Sequence, residues 1–81
     1  MKFFAYILIS ESHGTFYYGS TADIEKRLAE HNKGRVRYTK GRRPWELHYV
    51  EEFASRSEAY QREMFFKTIE GRQWLKSQGI L

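Results

Sequence analysis

The hydrophobic pattern divides the chain into short elements of two different periods. Phe3 to Ile9 is an unbroken apolar run rich in aromatic and β-branched residues, which predicts a strand covered on both faces. A turn-like "SESHG" follows, and Thr15 to Gly19 resumes with Thr, Phe and two Tyr. That predicts a second strand and a β-hairpin with a loop of about four residues. If Ser10 pairs with Thr15, Leu8 faces Tyr17 across the ladder, and Tyr6 lies on that same sheet face because side chains alternate with period two.

The period then changes. Ser20 or Thr21 can cap a helix over Ala22 to Lys33, with Asp23 and Glu25 in its first turn and Gly34 at its C-terminal end. Ile24, Leu28 and His31 recur at helical spacing, and Arg27 falls among them, so two basic side chains share a narrow apolar face. Glu25, Lys26, Ala29, Glu30 and Lys33 mark the outward face. Gly34 to Pro44 has no periodicity and reads as a loop. Trp45 to Phe53, "WELHYVEEF", partly alternates and predicts a third strand. Ser55 or Ser57 can cap a helix running to about Ile69, which Gly71 interrupts, and "RQWLKSQG" predicts a short last helix anchored by Trp74 and Leu75. The order β-β-α-β-α-α implies an α+β domain, a small, mainly antiparallel three-stranded sheet flanked by helices.

At 81 residues the chain is expected to form one domain spanning residues 1–81. Hydrophobic residues make up 41% and charged residues 30%, a balance that suits a folded globule rather than a disordered tail. There are no cysteines, which removes disulfides and thiolate metal sites and suits a cytoplasmic location. The apolar start is far shorter than the roughly 20 residues needed to span a bilayer, so no membrane is expected. Net charge is +4, which permits a polyanionic partner without requiring one. Its distribution is more informative: Lys33, Arg35, Arg37, Lys40, Arg42 and Arg43 follow one another with no acid between them.

Serine-histidine-acid triads, glycine-rich phosphate loops and metalloprotease helix motifs are absent. The remaining candidates have structural readings as well. Arg27 could cover apolar surface with its stem while its guanidinium reaches water, and His31 could satisfy the last carbonyls of its helix. Tyr6, Tyr17 and Tyr18 suit half-buried strand positions. Glu63 stands four residues before Lys67, the spacing of a surface ion pair, yet a helical wheel sets it between Ala59 and Tyr60 in an arc that includes Phe66. An acid in an apolar arc needs a partner or a metal.

Tyr6, Tyr17 and Gly19, then Arg27 and His31, then Glu63, resemble the GIY-YIG nuclease domain in order and spacing. The resemblance runs from Phe3 to Lys76 and is strongest to the small stand-alone bacterial members, which are related to the N-terminal nuclease domain of excinuclease C and to GIY-YIG homing endonucleases. Phe4-Ala5-Tyr6 stands where the family has Gly-Ile-Tyr, and Tyr17-Tyr18-Gly19 where it has Tyr-Ile-Gly. The segments "YTKGRRPW" and "SEAYQRE" are similar to the same subgroup.

The resemblance implies a metal-dependent endonuclease acting on nucleic acid, DNA ahead of RNA, in repair or recombination. Arg27 would neutralise phosphoryl charge with its planar, permanently charged guanidinium. Glu63 would hold one Mg²⁺ or Mn²⁺ together with water and phosphate oxygens. The general base is Tyr6, Tyr17 or His31. A free phenol has a pKa of about 10, so a tyrosine base at pH 7 needs about 4 kcal/mol of help, whereas histidine already titrates near neutrality.

The basic segment Lys33 to Arg43, interleaved with Tyr38 and closed by Trp45, would grip phosphates and stack a base. Without appended recognition elements, specificity is expected to be low or supplied by a protein partner, with the chain a monomer or weak homodimer. Two alternatives stand beside the nuclease: an inactive nucleic-acid-binding or partner-binding module on the same fold, and an assembly protein that dimerises through Phe3, Phe65, Phe66 and Trp74.

Overall fold

The computed structural model describes residues 1–81. Strand β1 (Phe3–Ser10) is central in an antiparallel sheet of order β2-β1-β3, flanked by β2 (Phe16–Thr21) and β3 (Trp45–Phe53). Helix α1 (Ile24–Asn32) follows β2; α2 (Arg56–Phe66) and α3 (Ile69–Ser77) follow β3. The element order and the α+β class are those the sequence predicts. Ser10 N–H donates to the Thr15 carbonyl at 2.8 Å and closes the hairpin, and Leu8 pairs with Tyr17 and Tyr6 with Gly19.

Because β1 is apolar on both faces, the sheet supports two cores. Ala5 and Ile7 face Phe66 and Leu75, with Tyr18, Tyr49 and Phe53 packed around them. Tyr6 and Leu8 face the other way, against Trp45, Tyr17, Leu47 and the α1 residues Ile24 and Leu28. The α2/α3 side holds the larger apolar cluster. The α1 side carries the candidate residues.

Several local expectations shift. Helix α1 is capped by Asp23, whose carboxylate accepts from the Lys26 N–H at 3.1 Å, rather than by Ser20 or Thr21. Thr21 instead closes a turn by accepting from the Asp23 N–H, and Ser20 is held by Glu63. Strand β2 therefore runs two residues past Gly19, to Thr21. Gly34 does end α1, at φ +76, a conformation in which a Cβ would be strained. Ser55 caps α2 through the Glu58 N–H.

Helix α2 ends at Phe66, before the expected Ile69, because Thr68 starts a new helix by accepting from the Gly71 N–H at 2.9 Å. Gly71 therefore belongs to the first turn of α3 and does not interrupt α2. Its missing side chain lets α3 fold back on α2, since a Cβ would overlap the backbone carbonyl of Phe65. The aromatic anchors of the dimer reading are largely consumed here: Phe66 is fully buried, and Phe65 and Trp74 pack together with ring centroids 6.3 Å apart.

Gly-to-Ala in a helix ordinarily stabilises by about 1 kcal/mol. Gly71→Ala is expected to do the reverse, with a loss of more than about 2 kcal/mol in urea unfolding, because the obstruction is backbone and cannot rotate away.

Candidate active site

Tyr6 and Gly19 are direct partners across the β1/β2 ladder, and the Tyr6 ring lies over the glycine. A Cβ at Gly19 would overlap the Tyr6 hydroxyl end. The glycine thus gives the phenol a place at the sheet edge, though only 2% of Tyr6 is exposed.

The Tyr6 hydroxyl meets His31 Nε2 at 3.1 Å, and His31 Nδ1 meets Thr39 Oγ1 at 2.8 Å. Thr39 donates its single hydroxyl proton to the Val36 carbonyl at 3.3 Å. With that proton on the Val36 carbonyl, Thr39 accepts from His31 Nδ1–H and Nε2 accepts the Tyr6 proton, which is the tautomer assigned to His31. His31 is 0% exposed, and burial followed by the nearby Arg27 charge lowers its pKa to about 4. It is neutral at pH 7 and carries its lone pair toward Tyr6. Both ring nitrogens are engaged by side chains, so His31 does not satisfy helix carbonyls.

Burial raises the Tyr6 pKa to about 12, opposed by the Arg27 guanidinium beside it and reinforced by Tyr17 and Glu63. Arg27 shares this face through helical spacing, with 36% of its side chain exposed and its Nη1 3.3 Å from Glu30 Oε1. Burial disfavours its charge, but Tyr6, Glu30 and Tyr17 more than restore it, and its pKa is raised. The Tyr17 ring packs edge-on against His31 at 4.9 Å between centroids, and its hydroxyl has no hydrogen-bond partner in the chain. Tyr18 points through the sheet to Phe66 and stands apart from this group.

Glu63 arrives from the opposite side. It projects from α2, is only 12% exposed, accepts from Ser20 Oγ at 2.7 Å and pairs with Lys67 Nζ at 2.9 Å. The expected Glu63–Lys67 pair forms, but as a largely covered acid rather than a surface one. No group of three or more histidine, cysteine or acidic side chains comes together in the fold. A cation held by Glu63 would therefore take its other ligands from water and phosphate oxygens, a donor set that fits a hard ion such as Mg²⁺ or Mn²⁺.

Lys33, Arg35, Arg37, Lys40, Arg42 and Arg43 all lie exposed, and none forms an ion pair. Their loop is more ordered than its sequence suggests. It contains a short 3-10 turn (Lys40–Arg42) and a cis Arg43–Pro44 peptide, and it is pinned at both ends. The Asn32 amide donates to the Trp45 carbonyl at 2.9 Å and accepts from its N–H at 2.6 Å, while Trp45 Nε1 donates to the Thr39 carbonyl. Ser10 Oγ donates to the Arg42 carbonyl at 2.7 Å.

Sequence reasoning missed Thr39 and Ser20. Thr39 lies within a segment that resembles the subgroup, which was its only signal; Ser20 looked like a helix cap.

A family model described as the GIY-YIG catalytic domain matches residues 2–76. The chain belongs to the GIY-YIG family. A UPF0213 protein of Halobacterium salinarum is 45% identical over 67 residues, covering 82% of this chain and 87% of that relative. One from Staphylococcus haemolyticus is 43% identical over 76 residues, 93% of this chain and 92% of its own length. The solution NMR structure of a UPF0213 protein from Bacillus halodurans superposes with a TM-score of 0.57 at 32% identity, covering 96% of this chain and 85% of that one. The fold is thus of the GIY-YIG nuclease type, and these relatives are similarly small. No helix is long and apolar enough to cross a membrane.

The buried histidine makes a pH prediction. In the unfolded chain it accepts a proton near 6.5, in the folded chain only near 4, so its contribution to stability is complete above pH 6.5 and is lost as pH falls toward 4. Urea unfolding midpoints should drop across that window, and an NMR titration of the His31 ring should show no protonation step near 6.5. Gly19→Ala should displace the Tyr6 ring and weaken folding in the wild type, with much of that penalty removed in a Tyr6→Ala background, as a double-mutant cycle would read.

Proposed function

We propose that the chain hydrolyses phosphodiester bonds in nucleic acid, DNA ahead of RNA, with one divalent cation, Mg²⁺ or Mn²⁺, as cofactor. The observation that carries this reading is the Tyr6–His31–Thr39 chain of hydrogen bonds ending beside Arg27 at the sheet edge, with Glu63 directed to the same edge through Ser20. A neutral imidazole that accepts a phenol's proton is a proton path. As a water loses its proton to the Tyr6 oxygen, Tyr6 passes its own to His31 Nε2, and the anionic phosphate at Arg27 offsets the burial and the Arg27 charge that hold the His31 pKa at about 4. No free phenolate forms. That matters because a phenol with a pKa of about 12 is almost never ionised at neutral pH.

Tyr17, with its hydroxyl free, orients the water or a phosphate oxygen. Arg27 clamps non-bridging phosphate oxygens. A polar cleft of about 360 Å³ bordered by Ser20, Lys26, Arg27 and Arg56, with Asp23 and Glu30 on its rim, offers room for that phosphate. Glu63, oriented by Ser20, would hold the cation, which when bound supplies positive charge for the phosphoryl group and the leaving oxygen. Lys67 holds the other carboxylate oxygen. The unpaired cations from Lys33 to Arg43 give the substrate backbone a track. DNA repair or recombination is the setting proposed for such an activity, with target choice left to a protein partner.

The unpaired basic loop also favours a second reading, an inactive nucleic-acid-binding module. One assay separates the two. Wild type, Glu63→Gln and Arg27→Ala are incubated with labelled single-stranded, duplex and branched DNA and RNA in Mg²⁺, Mn²⁺ or EDTA. The nuclease reading expects metal-dependent products from the wild type and a loss of at least about 100-fold in either variant. Salt-sensitive binding without products from any of them would leave the binding module.

A further inference from the structure

A second cleft, of about 450 Å³, runs along the outer edge of β2 and is lined by Phe16, Tyr17, Tyr18, Tyr38, Lys67 and Arg72. Its size is that of a small-molecule site, and its lining is four aromatic rings and two cations with no acid. Strand β2 is a sheet edge, so residues from both faces meet here. Tyr17 and Tyr38 come from the α1 side, with ring centroids 5.8 Å apart. Tyr18 comes from the other face, with the Arg72 guanidinium 5.9 Å from its ring centroid.

Tyr38 is the unusual member. It is 82% exposed, the most exposed aromatic side chain in the structure, and it is carried by the basic loop pinned through Trp45 and Thr39. The cleft also adjoins the candidate active site: Tyr17 packs on His31, and Lys67 pairs with Glu63.

We propose that this cleft is a nucleobase subsite, stacking one unstacked base of the bound strand on the open face of the Tyr38 ring that Tyr17 backs, beside the phosphate held by Arg27, with the sugar-phosphate backbone following Arg72. The inference rests on the nuclease reading for its substrate, and adds which form of strand is accepted. Every base has a face that stacks on an aromatic ring, so the subsite is tolerant of sequence. A fully stacked duplex keeps its bases inside the helix, so the strand must be single or have a base turned out. A peptide adding a strand to the β2 edge is the competing occupant, and the stacked aromatic lining with an Arg72 guanidinium that no acid pairs favours the polyanion over it.

The test is fluorescence anisotropy in EDTA, where cleavage plays no part, with a short labelled oligothymidine and an abasic strand of the same backbone length. Wild type should bind oligothymidine more tightly than the abasic strand. Tyr38→Ala should weaken oligothymidine binding by about 10-fold and leave abasic binding unchanged. Arg72→Gln should weaken both and reduce the salt dependence. Tyr38 is exposed, so its variant should keep the wild-type far-ultraviolet circular dichroism.

Equal binding of the two strands by the wild type, or an oligothymidine preference unchanged in Tyr38→Ala, would overturn the subsite. So would an extended peptide occupying the cleft in a complex while that preference is unchanged in Tyr38→Ala. If the preference follows Tyr38 and no strand is cut with metal, the nuclease reading fails and the subsite stands. If the wild type cuts while the preference ignores Tyr38, the opposite holds.

Discussion

A histidine with no exposure to water, kept neutral and hydrogen-bonded on both ring nitrogens, ties three separate parts of the chain together at one point. Helix α1 supplies the ring, strand β1 supplies the phenol, and the basic loop supplies the threonine. An unpaired buried imidazole would cost about as much as a lost hydrogen bond and its desolvation, so each partner holds the other two in place. The same loop is fixed again by the two-way Asn32–Trp45 bond and by Trp45 Nε1 on Thr39. Its cations are therefore presented from a constrained backbone, and none of them is tied up in an ion pair.

The sheet separates this polar arrangement from the larger apolar cluster. Ala5, Ile7, Phe66 and Leu75 form a fully covered cluster on one face, reinforced where Arg62 bridges Glu51 at 2.7 Å and lies over the Trp74 ring. The other face can then carry Tyr6, His31, Arg27 and Tyr17, whose polar ends would weaken a purely apolar core. A basic chain of 81 residues has little interior, and one strand apolar on both sides lets it maintain both cores at once.

The sheet was well encoded locally. The apolar run of β1, the hairpin register through Ser10 and Thr15, and the face shared by Tyr6, Leu8 and Tyr17 follow from period-two alternation and turn length. Helical spacing alone brought Arg27 and His31 to one face. What stayed illegible depends on partners distant in the chain. Ser20 has the chemistry of a helix cap, and only the arrival of α2 makes it a ligand of Glu63; Asp23, three residues on, then takes the cap. Thr39 sits in a loop without periodicity, and nothing nearby tells that His31 will fold over it. Gly71 reads as a breaker because helix propensity disfavours it, whereas its role is to admit the Phe65 carbonyl.

The position of Glu63 shows why the edge strand matters most. Tyr6 and Ser20 point to opposite faces of the sheet, since their partners Gly19 and Ala5 do, so an acid bound to Ser20 begins on the wrong side for Tyr6. The two faces meet only at the rim of β2, where no further strand is paired. At that rim Gly19 has no side chain, and the Tyr6 hydroxyl lies across the strand within electrostatic reach of Glu63. A side chain at Gly19 would collide with the Tyr6 hydroxyl end and push the phenol from this place. The glycine of the second motif thus has a topological reason: it lets a tyrosine supported by α1 lie across the edge strand whose next residue, Ser20, holds the α2 carboxylate on the other face.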